Sequence, residues 1–180
     1  MSLVDKRYAE ALVNISVQKN KIESFQEDLK WIVNIYNTQL DLKLLFLNPQ
    51  VKVEVKKEMV EQLFRDQIEP DLLNFLKVLI DKGRINFLPS IVDEYNKLAD
   101  KYKNVLNMTI ISAAPIGEMQ INSIKEKYRI LYNATSVKAS METDTSLIGG
   151  VQVRIGDKVI DGTVKGRLES LRQYLVEGRT

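Results

Sequence analysis

The sequence predicts an α+β protein, an N-terminal six-helix bundle followed by a small C-terminal domain of β-strands with two helices. Three observations carry this reading. Apolar residues recur every three or four positions through residues 4–102, the period of helices that each bury one face. At Val105 the period drops to two, in the β-branched run VLNMTIISA. Near the end, GGVQVRIGDKVIDG sets Gly-Asp between two alternating runs, the pattern of a tight hairpin. The expected domains are therefore residues 1–104 and 105–180.

Val4, Tyr8, Ala11, Leu12 and Ile15 share one face of the first helix. Ile22, Phe25, Leu29, Ile32, Val33 and Tyr36 do so in the second, which also carries Trp31 beside its stripe. A short third helix, around Leu42 to Leu47, stops at Asn48-Pro49, because proline disfavours helical geometry in the residue before it. Val51, Val55, Met59, Leu63 and Phe64 are expected to line the fourth.

The fifth helix, DLLNFLKVLIDKG, differs from the others. Leu72, Leu73, Phe75, Leu76, Val78, Leu79 and Ile80 cover most of its circumference, more apolar surface than a surface helix needs. Gly83 stands where a left-handed C-cap residue ends a helix. A sixth helix starts near Pro89 and carries Leu88, Ile91, Val92, Tyr95, Leu98, Ala99 and Tyr102. Lys103 to Val105 is the expected hinge, and without Gly or Pro its flexibility is expected to be limited.

The C-terminal part reads β-α-β-β-β-α. A strand at Val105–Ala113 stops before Pro115, and a helix follows with Ile121, Ile124, Tyr128 and Leu131 on one side. SVKASME alternates through Val137, Ala139 and Met141, the hairpin comes next, and a last helix carries Val164, Leu168, Leu171 and Leu175.

Composition removes several classes of function. Among 180 residues there is no cysteine and no histidine, so disulfides, thiol catalysis and a Ser-His-Asp triad are excluded, and zinc sites lose their usual ligands. Lys and Arg number 26 against 24 Asp and Glu, a net charge of +2 that gives no electrostatic case for nucleic acid. No apolar run approaches the roughly 20 residues that span a bilayer. No signal-peptide pattern opens the chain, so membrane association is expected only through a partner.

The glycine-rich stretch invites a phosphate-loop reading, which fails. Five residues separate Gly150 from Gly156, where a P-loop has four, and Asp157 occupies the position of its lysine. A carboxylate there opposes a phosphate, and no hydroxyl follows for a magnesium ion. As a hairpin the stretch is coherent. Val151, Val153 and Ile155 alternate, Gly156-Asp157 turns, and Lys158-Val159-Ile160 returns. Asp161 or Thr163 can cap the last helix, and Gly149-Gly150 marks a bulge or a close backbone approach. No cofactor or metal site emerges, and pairs such as Asp93-Glu94 lie on a polar helix face with nothing to tune them.

The same residues resemble a known family, the delta subunit of F-type ATP synthase, which includes the oligomycin-sensitivity-conferring protein. The resemblance rests on Asp144, Leu147, Ile148, Gly149, Gly150, Val151, Val153, Gly156, Asp157, Val159, Ile160, Asp161, Gly162, Gly166, Leu168 and Leu171. Arg7-Tyr8-Ala9 with Ala11-Leu12 is similar to the family's opening helix, and Gly83-Arg84 to its turn into the sixth. Thr163 stands where Ser is common, a conservative change at a cap.

The resemblance implies a non-catalytic stator subunit, present once per complex and monomeric when isolated. In it the helical domain holds the N-terminal helix of an alpha subunit in a groove between the first and fifth helices. The C-terminal domain holds the b subunits of the peripheral stalk, so that proton- or sodium-driven rotation is coupled to ATP synthesis. Tyr8, Ala11 and Val78 would line the groove, with Ile15 and Leu79 as neighbours by helical spacing. The same five residues also fit a plain bundle core, and stripe position does not separate the two. Lys165, Arg167 and Arg172 could meet an acidic stalk end or be merely solvated. The implied location is the cytoplasmic face of a bacterial cell membrane, or the stromal face of the thylakoid for an organelle-encoded version. A free-standing helical adaptor or chaperone is the alternative, and a nucleotide-dependent enzyme lacks the loop it needs.

Overall fold

The computed structural model describes residues 3–166 together with Leu168 and Arg172. Six helices come first: α1 (Leu3–Gln18), α2 (Ile22–Thr38), α3 (Leu40–Leu47), α4 (Val53–Phe64), α5 (Pro70–Asp81) and α6 (Leu88–Tyr102), with a 3₁₀ turn at Ile85–Phe87 before the last. Then follow β1 (Val105–Ser112), α7 (Glu118–Leu131), β2 (Ser136–Thr143), β3 (Val151–Ile155) and β4 (Lys158–Asp161). The architecture is α+β, as the change of period at Val105 implies.

One apolar core fills the bundle. Leu12, Phe25, Leu29, Ile32, Leu72, Leu76, Leu79, Leu88, Ile91 and Tyr95 are essentially out of solvent. Burial of each such side chain stabilises by roughly 1.5–3 kcal/mol against leaving it exposed, which holds the helices together where propensity alone would not. Helix ends are set by left-handed residues. Gly83 (φ +62°) closes α5, with the Arg84 amide donating to the Leu79 carbonyl at 2.7 Å. Asn20 (φ +54°) closes α1 in the same way, with the Lys21 amide donating to the Ser16 carbonyl at 2.8 Å.

On α4 the buried edge differs from the expected stripe. Phe64 enters the core as expected, but Val60 enters with it, while Val55 and Leu63 stay exposed. The 57/60/61/64 edge faces α5, where Lys57 pairs with Asp81 and Glu61 pairs with Lys77 at 2.7 Å. Phe64 then meets Trp31 edge-on, with ring centroids 5.4 Å apart. Met59 and Leu63 instead line an open apolar cavity of about 500 Å³ with Ile35, Leu42 and Leu45.

The C-terminal sheet has the order β2-β1-β3-β4. β1 and β2 are parallel, joined by α7, and β3 returns antiparallel to β1. Met108, Ile110 and Val153 face Tyr128 of α7 in a second, smaller core. Ile155 pairs with Lys158 across the two-residue Gly156-Asp157 turn, where Gly156 has the positive φ (+56°) of a type II′ hairpin. Val164, Lys165, Gly166, Leu168 and Arg172 are helical, whereas Leu171, Leu175 and Arg167 lie outside the described residues.

The chain separates into two compact units between Ala99 and Asp100, within α6. The expected division at 104/105 sits after that helix. In the last turn of α6 buried Asp100 accepts from Asn107 of β1 and Lys138 of β2.

Candidate functional site

The face shared by α1 and α5 is built from two apolar rows. Tyr8, Ala11 and Ile15 are spaced three and four apart on α1, and Phe75 and Val78 are three apart on α5. Tyr8 and Phe75 meet edge-to-face, with centroids 6.1 Å apart and planes at 68°. The Arg84 guanidinium lies over the Tyr8 ring at 5.7 Å, and its Nη1 donates to the Tyr8 hydroxyl at 3.1 Å. At the other end Lys19, just past α1, pairs with Asp71 at the start of α5. With Arg84 at Tyr8 and Lys19 at Asp71, the two helices run antiparallel.

The five sequence-predicted groove residues occupy different depths. Ala11 is exposed, Tyr8 and Ile15 are half-buried, and Val78 is 43% exposed. Leu79 is 0% exposed and belongs to the core beneath. The surface between α1 and α5 is thus lined by Tyr8, Ala11, Ile15 and Val78, with Phe75 joining them. Phe75 was legible as part of the fifth helix's stripe, three residues before Val78, but burial of one edge of its ring is not a sequence property. Charge stands at the two ends of these rows, Arg84 over Tyr8 at one and the Lys19–Asp71 pair at the other. An apolar strip with charged ends suits the apolar face of an amphipathic helix.

The other candidate residues form the joint between the hairpin and the last helix. Gly150 (φ +85°) lies so close to the returning chain that a Cβ there would sit 2.6 Å from the Gly162 carbonyl oxygen. Gly162 donates its amide to the Val151 carbonyl at 3.0 Å, and a Cβ on Gly162 would meet that same oxygen at 2.9 Å. Gly149 accepts from the Val164 amide at 3.0 Å. Leu147 is half-buried and donates its amide to the Asp144 carbonyl at 3.2 Å, whereas Asp157 is exposed in the hairpin turn. Asp161 accepts the Thr163 amide at 2.7 Å, and the Thr163 hydroxyl oxygen accepts the Gly166 amide at 3.1 Å, so Thr163 is the cap and Asp161 shapes the turn before it. Hydrogen bonds from Thr163, its side chain first and its amide second, hold the Asp161 carboxyl below the usual range. These residues do conformational work and present no reactive group.

Among the described residues no cluster of three or more acidic side chains could hold a metal ion. No helix among them is long and apolar enough to cross a membrane.

A family model described as ATP synthase delta (OSCP) subunit matches residues 4–175. The chain is 46% identical over 177 residues to ATP synthase subunit delta of Acetivibrio thermocellus, covering 98% of this chain and 99% of that protein. It is 40% identical over 175 residues to the subunit of the same name from Ruminiclostridium cellulolyticum, with 97% and 99% covered. Among solved structures, a chain of the Toxoplasma gondii mitochondrial ATP synthase hexamer shares the fold over 98% of both chains, with a TM-score of 0.73 at 22% identity.

Proposed function

This chain belongs to the ATP synthase delta (OSCP) subunit family, and from that premise we propose which of its surfaces take which partners. As a family member it is a structural, non-catalytic subunit of an F-type ATP synthase, in the stator that links catalytic head and peripheral stalk. Its α1/α5 surface receives the apolar face of the alpha subunit's N-terminal helix. Its sheet unit receives the ends of the stalk's b subunits. The protein is peripheral, held at the cytoplasmic side of the membrane through the complex.

The observation that carries the first assignment is Val78. An aliphatic side chain 43% exposed beside the half-buried Tyr8–Phe75 pair leaves apolar area that solvent does not favour and a partner helix would cover. The bundle already has its core, with Leu79 one residue on supplying it. A groove apolar along its length with charge at its two ends gives both attraction and register.

Calorimetric titration of the full chain with a synthetic peptide of the cognate alpha N-terminus tests this. One-to-one binding that Val78→Asp abolishes, with circular dichroism unchanged, is the expected result. Unaltered binding by a folded Val78→Asp chain would move the site elsewhere on the bundle.

A further inference from the structure

The segment that sequence alone marks as a hinge, with the helix turn before it, is bonded to the sheet unit at Asp100 and Asn104. Asp100, 4% exposed, accepts from Lys138 Nζ at 2.6 Å and from Asn107 Nδ2 at 3.0 Å. Four residues on, Asn104 takes a left-handed conformation (φ +53°) that turns the chain out of α6 and into β1. Its side-chain amide donates to the Asn133 carbonyl at 2.7 Å, and its own carbonyl accepts the Thr135 amide at 2.9 Å. Asn133 is itself left-handed (φ +49°), so the exit of α6 and the exit of α7 lock to each other before β1 and β2 start in register at Val105 and Ser136.

A buried carboxylate held by side-chain donors resists disturbance, because removing a donor leaves charge out of water with less compensation. We propose that Asp100 is a positioning residue that makes the last turn of α6 part of the sheet unit. Residues 100–105 then open only when the sheet opens.

This placement stands on the bonds of Asp100 and Asn104, independently of which partners the two units hold. Native-state hydrogen exchange on the full chain tests it. In the unaltered protein the amides of Lys101 to Val105 are expected to exchange at the rates of Met108 and Ile110 in β1 as denaturant is raised, not at those of Ile91 and Tyr95. Lys138→Met and Asp100→Asn are each expected to speed exchange at Lys101–Val105 at least tenfold while leaving Ile91 and Tyr95 unchanged. Exchange of Lys101–Val105 in step with Ile91 and Tyr95, or no acceleration in either variant, would overturn the assignment. Should Asp100→Asn disrupt the whole sheet, Lys138→Met, which keeps the carboxylate and its Asn107 donor, decides the matter.

Discussion

The Arg84 guanidinium caps Tyr8 twice, over its ring at 5.7 Å and through Nη1 to its hydroxyl at 3.1 Å. The residue that follows the left-handed glycine of α5 thus fixes the aromatic ring of α1, and the Schellman turn at Gly83 is what aims it. Arg84→Met removes the charged donor and the cation–π contact and keeps much of the stem. A stability loss of about 1–2 kcal/mol is expected in urea denaturation. Peptide affinity should also fall, because the Tyr8 ring is no longer held; unchanged affinity would mean that Tyr8 orientation is set by Phe75 alone.

Val78 and Leu79 are adjacent and should behave oppositely. Val78→Asp puts a charge on the surface, so Tm is expected to change little, while affinity for the alpha peptide falls roughly 100-fold or more once that charge must be desolvated. Leu79→Ala leaves the surface intact and opens the core, costing about 2–5 kcal/mol of bundle stability. Equal effects of both substitutions on folding would contradict the depths described for them.

Two glycines of the sheet unit separate conformational strain from steric conflict. Gly156 has a positive φ and open space around it, so Gly156→Ala should cost only about 1–2 kcal/mol. Gly150 has a positive φ and a carbonyl oxygen 2.6 Å from any Cβ, so Gly150→Ala must also move backbone and should cost clearly more than about 2 kcal/mol. Guanidinium titrations of the two variants, followed by NMR of the Val153 and Ile110 amides, give the comparison.

The sheet unit should weaken in acid. Hydrogen bonds from Ser146 lower the Asp144 carboxyl, and hydrogen bonds from Thr163 lower that of Asp161. A depressed native pKa means that the unfolded chain binds protons first, so this stability is fully present above the unfolded carboxyl pKa, near 3.9, and is lost as pH falls through the lower native value. Asp161→Asn should therefore flatten the dependence below about pH 4 relative to the unaltered chain. A stability curve that keeps its acid slope in that variant would place the responsible proton elsewhere.

Asn20 stands in the left-handed C′ position of α1 without the freedom of glycine. Asn20→Ala is expected to cost about 1 kcal/mol and Asn20→Gly to be near neutral. Thermal denaturation of the two variants distinguishes a conformational effect from loss of a side-chain contact.

Much of this architecture was legible because the signals were local. The change of period at Val105, the glycine at position 83 and the Gly156-Asp157 turn each carry their meaning within a few residues. Three things were not. The buried edge of α4 is decided by packing against residues distant in the chain, so of the expected Val51, Val55, Met59, Leu63 and Phe64 stripe Phe64 is buried, with Val60 beside it, while Val55 and Leu63 stay exposed. Leu79 and Val78 look alike on a helix that is apolar on most sides, and only packing tells core from surface. The left-handed asparagines 20, 104 and 133 do by tolerance what glycine does by freedom, and asparagine is common enough elsewhere that it gives no clear stop.

The strand order has a consequence for the chain as it leaves the ribosome. The bundle's contacts lie within residues that are made first, so it can fold while the rest is still being synthesised. β1 is central in its sheet, yet its partner β3 begins about 40 residues after β1 ends, a delay of roughly 2–8 s at ordinary elongation rates. β2 arrives sooner and covers one edge of β1, but the other edge, Thr109–Ser112, waits for Val151–Arg154. Until then Ile110 and Ile111 present an open, β-branched edge able to pair with another nascent copy. Aggregation during production should thus depend on how quickly the hairpin follows. A ribosome stalled between residues 113 and 150 would expose that hazard most, and a chain released after Asp161 would have closed it.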